Sequence, residues 1–273
     1  MTKSPRLTQP RRWATLALTS VTLAALPAYG GQRQTNPVTL AIPNPNLWLV
    51  QGQGGETGEA GITDTENADA AFLAELAIVE GHMLAARDLY GMGQKDAAVE
   101  LSGHPQAEGT LDALRAKIAD HAAPDPSDAI TAFTAAMQNG APQAEVDAAL
   151  TAVSQVFAAA AKVEADQVRA RFDAVVLLLQ AAAAEYAAAI EGGTVTNPIG
   201  WHEAWSFLGI ARREMQTLAT LPLSAKAAPK AIAAMTEADA AFGDPTAAIP
   251  LAGDPQILLG VAAKVELIAS SVR

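Results

Sequence analysis

Beyond residue 63, apolar residues recur at every third or fourth position along most of the chain. This spacing, as in Leu76, Val79 and Met83, places them on one face of an α-helix. No alternating run of apolar and polar residues indicates a β-strand. We therefore predict an all-α fold, an antiparallel helical bundle with an irregular N-terminal arm. The predicted helices cover residues 63–91, 95–101 (a short helix), 105–121, 127–140, 142–192 (with a break near 162–166), 198–218 and 256–272, and prolines divide residues 222–255 into further short helices.

One segment of the longest helical stretch is apolar on every side. Residues 175–179 are all valine or leucine, with Arg171 and Asp173 shortly before them and Glu185 after them. A membrane-spanning helix needs about 20 predominantly apolar residues, so these charges bound the run too closely. The segment is therefore expected to lie in the middle of the bundle.

The first thirty residues have the composition of a cleavable signal peptide. Four basic residues and no acidic residue stand before an apolar run over 13–26, which is too short to span a bilayer as a helix. Ala28 and Gly30 are small, as a cleavage site after Gly30 requires. The general secretory route is favoured over twin-arginine export, for which the only sign is an Arg-Arg pair. The mature protein is therefore predicted to be periplasmic or secreted.

Residues 31–66 form a predicted flexible arm, because prolines and glycines interrupt any helical period. Two carboxylates in this arm, Glu56 and Glu59, are more typical of a solvated linker than of a cation site. The helical bundle domain is then expected to cover residues 67–273.

Charge and composition narrow the class of function. The 273-residue chain has a net charge of −11, which becomes −15 if residues 1–30 are removed. Nucleic-acid binding needs clustered lysine and arginine, so it is not expected here. The acidic surface also disfavours anionic membranes, and only an uncleaved signal segment should contact a membrane. Because the chain has no cysteine, disulfides and thiolate ligands are excluded.

Three of the four histidines lie in segments that favour a binding site. His82 follows Gly81, whose mid-helix position costs about 1 kcal/mol relative to alanine and indicates a close neighbour. Imidazole together with carboxylate suits a divalent transition metal such as iron, copper or zinc. The predicted metal ligands are His82, His104, Glu108 and His202, with Glu80, Glu185 and Glu203 in reserve.

The spacing of these residues leaves a structural alternative open. His104 and Glu108 share a face only if one helix carries both. No pair of histidines has the i, i+4 spacing of a zincin helix, and His121 has the position of a surface residue at a helix end. For each histidine taken alone, a hydrogen-bonded structural role is favoured over metal ligation.

Other chemistry finds less support. Trp201, Trp205 and Phe207 concentrate aromatic side chains, which is more typical of core packing than of a pocket for a hydrophobic ligand. The sequence has no nucleophile elbow, P-loop, dinucleotide fingerprint or His-Glu-x-x-His motif. It therefore favours binding over catalysis.

Two resemblances to known protein families indicate where in the cell the protein is located. Gly81-His82-Met83-Leu84, followed by His104-Pro105 and Glu108, resembles an uncharacterised family of secreted helical-bundle proteins of proteobacteria, over residues 52–120. Gly200-Trp201-His202 is remotely similar to the Gly-x-His-x-x-Glu motif of imelysin-like periplasmic proteins, which are linked to iron uptake. Trp205 occupies the position of the glutamate in that motif, so only His202 carries over as a metal contact.

Together these features predict a periplasmic protein that binds or handles a metal, related to iron or copper uptake. The alternative is a non-catalytic structural or partner-binding helical module of the cell envelope, with an unknown envelope protein as its partner. A carrier of hydrophobic ligands is a third hypothesis. These hypotheses differ in whether the histidines lie close together in the folded protein, which the sequence does not determine.

Overall fold

The computed structural model describes residues 65–107, 109–245, 247 and 253–272. Every described residue belongs to one compact unit, which spans Leu49–Arg273. The predicted signal peptide and nearly all of the predicted arm lie outside the described residues, as does Glu108. The elements are α1 (Ala68–Gly91), α2 (Lys95–Ala107), α3 (Thr110–Asp120), α4 (Ser127–Gln138), α5 (Gln143–Ala161), a 3-10 turn (Lys162–Glu164), α6 (Val168–Ala188), β1 (Ile190–Glu191), β2 (Thr194–Val195), α7 (Pro198–Ala219), α8 (Ala228–Thr236), α9 (Asp239–Phe242) and α10 (Gln256–Ala269).

The predicted all-α class is confirmed. Strands β1 and β2 pair antiparallel over only two residues each and close a tight turn between α6 and α7. Gly192 and Gly193 form this turn with φ values of 57° and 77°, a left-handed backbone that glycine adopts without steric cost. The predicted break in the longest helical stretch is also confirmed, because the 3-10 turn separates α5 from α6.

The helices α2 and α3 meet at a different place from the predicted one. The sequence pattern ended the second helix at Leu101 and started the third at Pro105, whereas α2 continues through His104 and Pro105 to Ala107. The boundary follows Gly109 instead, which precedes α3 with a φ of 78°. Proline removes one backbone hydrogen bond but does not have to end a helix within its last turn. His104 therefore lies in the last turn of α2 and not at the start of the third helix, while the predicted ligand Glu108 lies outside the described residues.

Two hydrophobic clusters make up the core. The first cluster is built from α1 to α5, with Ala170 and Ala174 of α6. The second cluster is built mainly from α6 to α10, with Ile78 of α1. Helix α1 therefore contributes to both clusters, and 17 of its 24 residues are buried. Any polar residue in the middle of α1 is consequently enclosed by neighbouring helices.

Helix α5 is the one described helix that is long and apolar enough to cross a membrane by length and composition alone. Much of its apolar character comes from alanine. One face, with Val146, Val153 and Phe157, is buried in the first cluster. The other faces of α5 are mostly exposed, which is typical of a helix at the edge of a bundle with one face on the core.

Candidate metal centre

Three helices bring together the buried side chains of His82, His104 and Glu203. His82 lies in the middle of α1, His104 in the last turn of α2 and Glu203 in the first half of α7. Their exposed fractions are 1%, 8% and 2% respectively. One ligand atom of each residue lies within 4.8 Å of the ligand atoms of the other two.

The carboxylate of Glu203 is the centre of this group. Its Oε1 atom lies 3.2 Å from Nε2 of His82 and 3.3 Å from Nδ1 of His104. Burial by itself would raise the pKa of Glu203, but the hydrogen bonds from His104 and His82 and their charge lower this pKa to about 2. Glu203 is therefore a carboxylate at neutral pH, held between two imidazole rings.

The backbone of α1 fixes the orientation of the His82 ring. Nδ1 of His82 lies 2.9 Å from the carbonyl oxygen of Ile78, one turn earlier in the helix. A carbonyl only accepts hydrogen bonds, so Nδ1 carries a proton and donates it. Metal-binding histidines commonly donate their second ring N–H to a backbone carbonyl, which leaves the other nitrogen for the metal.

Nε2 of His82 consequently faces the Glu203 carboxylate, which cannot donate a hydrogen bond. Because the Glu203 carboxylate only accepts, this position between Nε2 and Oε1 needs either a proton on Nε2 or a cation. Two ligand atoms about 2.0–2.1 Å from a tetrahedral metal ion are about 3.3–3.4 Å apart. Both distances to Oε1 fit that separation, and two imidazoles with one carboxylate suit zinc, iron or copper. The residues present therefore fit a transition metal.

The structure brings together only part of the predicted ligand set. His82 and His104 meet as predicted, whereas Glu203 stood among the reserves. His202 is buried against the ring of Trp201, with a centroid distance of 4.9 Å, and does not belong to the group. The sequence did hold a signal for Glu203. Glu203 stands four positions before Phe207, so the two side chains share one face of α7, and this face packs on α1.

The other two reserve residues have different surroundings. Glu80 forms an ion pair with Arg213, with 2.6 Å between Oε2 and Nη2. Glu185 is buried in α6, and its Oε2 would lie 3.4 Å from a Cβ atom on Gly200. Neither belongs to the group around Glu203.

The aromatic side chains of α7 fill the core. Trp201 and Phe207 are fully buried, and the Trp201 ring packs edge-on against Phe242 with a centroid distance of 5.2 Å. Trp205 is partly buried and contacts the same phenylalanine. This arrangement agrees with the core-packing interpretation of the tryptophans.

Gly81 allows α1 and α7 to approach at the candidate metal centre. A Cβ atom on Gly81 would lie 2.3 Å from Cδ1 and 2.5 Å from Cε1 of Phe207. The Phe207 ring also packs edge-on against His82, with 5.7 Å between ring centroids. The close neighbour that Gly81 indicated in the sequence is therefore the ring of Phe207.

We expect Gly81→Ala to lower the free energy of unfolding by about 1–3 kcal/mol, because the Phe207 ring has to move out of a packed core. Urea unfolding of the metal-free protein measures this change. Gly209→Ala in α7 is the matched control, since no atom of a non-adjacent residue lies within 4 Å of its Cβ position apart from the backbone of the same helix. The control should be stabilised by up to about 1 kcal/mol through helix propensity. A Gly81→Ala variant that is as stable as its parent would contradict the packing described here.

Because His202 is buried, we expect the free energy of unfolding to fall in mild acid. Burial lowers its pKa from 6.5 to about 4, so the unfolded chain takes up a proton at a higher pH than the folded protein. Between pH 7 and pH 5 this difference should cost about 2 kcal/mol of unfolding free energy. Urea unfolding with a chelator at both pH values measures it, and His202→Gln should lose about 2 kcal/mol less than the parent over the same interval. Equal losses in the two proteins would show that the His202 ring is protonated in the fold.

One comparison with known proteins gives a match. Residues 161–266 match the family described as the iron permease-associated 4-helix bundle domain. This region contains α6 to α9 and most of α10, and it includes Glu203 but neither His82 nor His104. No curated protein and no solved structure matches the chain. This part of the chain, well under half of its length, thus resembles a helical-bundle family associated with iron permeases, and the similarity to imelysin-like proteins stays a hypothesis.

Proposed function

We propose that this protein binds a first-row transition metal ion at His82, His104 and Glu203 as part of metal uptake. The observation that carries the proposal is the position of the Glu203 carboxylate, buried and within 3.3 Å of both imidazole rings. A buried carboxylate is costly unless it is paired, and the two histidines pair it with groups that are themselves metal ligands.

Iron is the first candidate for the bound ion. The support is the similarity of residues 161–266 to the iron permease-associated domain, since Glu203 lies within the matched region. Copper and zinc are the alternatives, because the same donors suit them. In this proposal the ion is the substrate that the protein binds and passes on.

The burial of the three ligands supports a direction of access. His104, with 8% of its surface exposed, is the least buried of them and belongs to the last turn of α2. An ion would therefore reach Glu203 past His104, while His82 stays fixed by the carbonyl of Ile78.

Metal analysis of the purified protein tests this function. The parent, prepared without chelator or affinity tag, should contain close to one equivalent of iron, copper or zinc in the buried site. The His82→Ala/His104→Ala/Glu203→Gln variant, which removes both imidazoles without leaving an unpaired buried carboxylate, should lose that equivalent and remain helical by circular dichroism. His202→Gln is the matched control and should keep it, because His202 is an equally buried histidine outside the group. Equal metal content in all three proteins would contradict the proposed site.

Export to the periplasm is a separate part of the proposal, supported by the charge and length of the first thirty residues. N-terminal sequencing of the protein from a periplasmic fraction should begin at Gly31. A cytoplasmic protein that starts at Met1 would contradict export without bearing on the metal site. The envelope-module alternative instead predicts no bound metal and a protein partner that is captured through residues 31–66.

A further inference from the structure

A second group of metal-ligating side chains lies near the other end of α1. Asp69 is in the first turn of α1, His121 directly follows α3, and Glu164 is in the 3-10 turn before α6. One ligand atom of each residue lies within 4.8 Å of the other two, and all three residues are half-buried. Residues 69 and 82 are separated along α1 by about 20 Å, at 1.5 Å per residue, so this group is independent of the candidate metal centre.

The imidazole of His121 is held from two sides. Its Nδ1 lies 2.8 Å from Oε1 of Glu164. Its ring stacks on Phe72, with 4.2 Å between ring centroids and an angle of 7° between the planes. The stack fixes the plane of the ring, and the carboxylate fixes its rotation. A ring held in this way keeps its nitrogen donors in place before any ligand arrives.

Asp69 makes the group more than a histidine–glutamate ion pair. Its carboxylate forms no hydrogen bond or ion pair with any described residue, yet it lies within 4.8 Å of the ligand atoms of His121 and Glu164. One imidazole, even when protonated, offsets only one of the two carboxylate charges. The group therefore attracts a cation and offers it one nitrogen and at least two oxygen donors.

We propose that Asp69, His121 and Glu164 form a second metal site, which takes a divalent first-row transition ion such as Mn²⁺, Fe²⁺ or Zn²⁺. The higher share of oxygen donors favours harder ions than the site with two histidines does. Because the group is half-buried, its ion exchanges with solvent more readily than an ion enclosed by α1, α2 and α7. The protein then carries one enclosed site and one accessible site along the same helix.

Titration with Mn²⁺, followed by the electron paramagnetic resonance signal of the free ion, tests this inference on the purified protein. His121→Phe removes the nitrogen donor but keeps an aromatic ring against Phe72. Glu164→Gln removes one carboxylate charge at constant shape. Asp166→Asn is the matched control, since Asp166 is an exposed carboxylate two positions from Glu164 and outside the group.

We expect His121→Phe and Glu164→Gln to bind one Mn²⁺ fewer than the parent, or to bind it at least about tenfold more weakly. Asp166→Asn should titrate like the parent. If both His121→Phe and Glu164→Gln bound Mn²⁺ as the parent does, the inference would be overturned and the group would be a structural ion pair. Glu203→Gln separates the two sites, because it should leave this Mn²⁺ equivalent unchanged even if the proposed function fails.

Discussion

Glu203→Gln should lower the affinity for Fe²⁺ or Zn²⁺ at the buried site by at least about 100-fold, because even the loss of an outer partner of a metal ligand costs 10- to 100-fold. Glutamine keeps the shape of the side chain but removes the negative charge that lies between His82 and His104. Competition with a chromophoric chelator at pH 7 measures the change.

The same titration needs a control for the loss of a buried charge. Glu80→Gln also removes a buried carboxylate, but one that pairs with Arg213 and lies outside the group around Glu203. It should bind metal at the buried site with parental affinity. If Glu203→Gln bound metal as tightly as Glu80→Gln, Glu203 would not be a ligand.

His82→Ala should destabilise the metal-free protein by about 3–5 kcal/mol, because the Glu203 carboxylate stays buried after one of its two partners is lost. Chemical denaturation in the presence of a chelator measures the free energy of unfolding. This effect is independent of metal binding, since it arises from the hydrogen bond between Nε2 of His82 and Oε1 of Glu203.

A double-mutant cycle isolates this interaction. His82→Ala/Glu203→Gln should be more stable than the sum of the two single changes predicts, by about 0.5–3 kcal/mol, because the neutral glutamine no longer needs the imidazole. Strict additivity of the two changes would show that His82 and Glu203 do not interact in the folded protein.

The helical bundle could be predicted from the sequence because helix periodicity is a local property. Three- and four-residue spacings place α1, α4, α7 and α10 within a few residues of their observed bounds. The boundary between α2 and α3 was misplaced because Pro105 is a strong local signal for a helix start. In the structure, α3 instead begins after Gly109, which has a left-handed backbone conformation. Any of several other glycines in the sequence could adopt that conformation, so the sequence alone does not single out Gly109.

The candidate site was only partly predictable because it depends on how α7 is rotated about its axis. Adjacent residues on a helix point about 100° apart, so a site that includes Glu203 excludes His202. The side of α7 that carries Trp201 and Trp205 is its most apolar side, and both rings pack against Phe242 in the second cluster. The opposite side, with Glu203 and Phe207, is also buried because Gly81 lets α1 pack against it. A helix buried on two sides gives no single amphipathic face from which its rotation can be read.

His121 illustrates a second limit of sequence reasoning. Its position at the end of α3 is typical of a solvent-exposed residue, yet its ring stacks on Phe72 and meets Glu164, which lies 43 positions further along the chain. Contacts of this range depend on the packing of complete helices. Neither residue type nor local spacing identifies them.

The binding of one transition metal ion by His82, His104 and Glu203 is the core of the proposed function. Anomalous diffraction from crystals grown without chelator and soaked in Fe²⁺ or Zn²⁺ tests it most directly. We expect an anomalous peak between the three side chains, about 2.0–2.2 Å from Nε2 of His82 and from Oε1 of Glu203. If these crystals showed no peak there and kept direct hydrogen bonds from both histidines to Glu203, the group would be a structural network and the proposed function would be wrong.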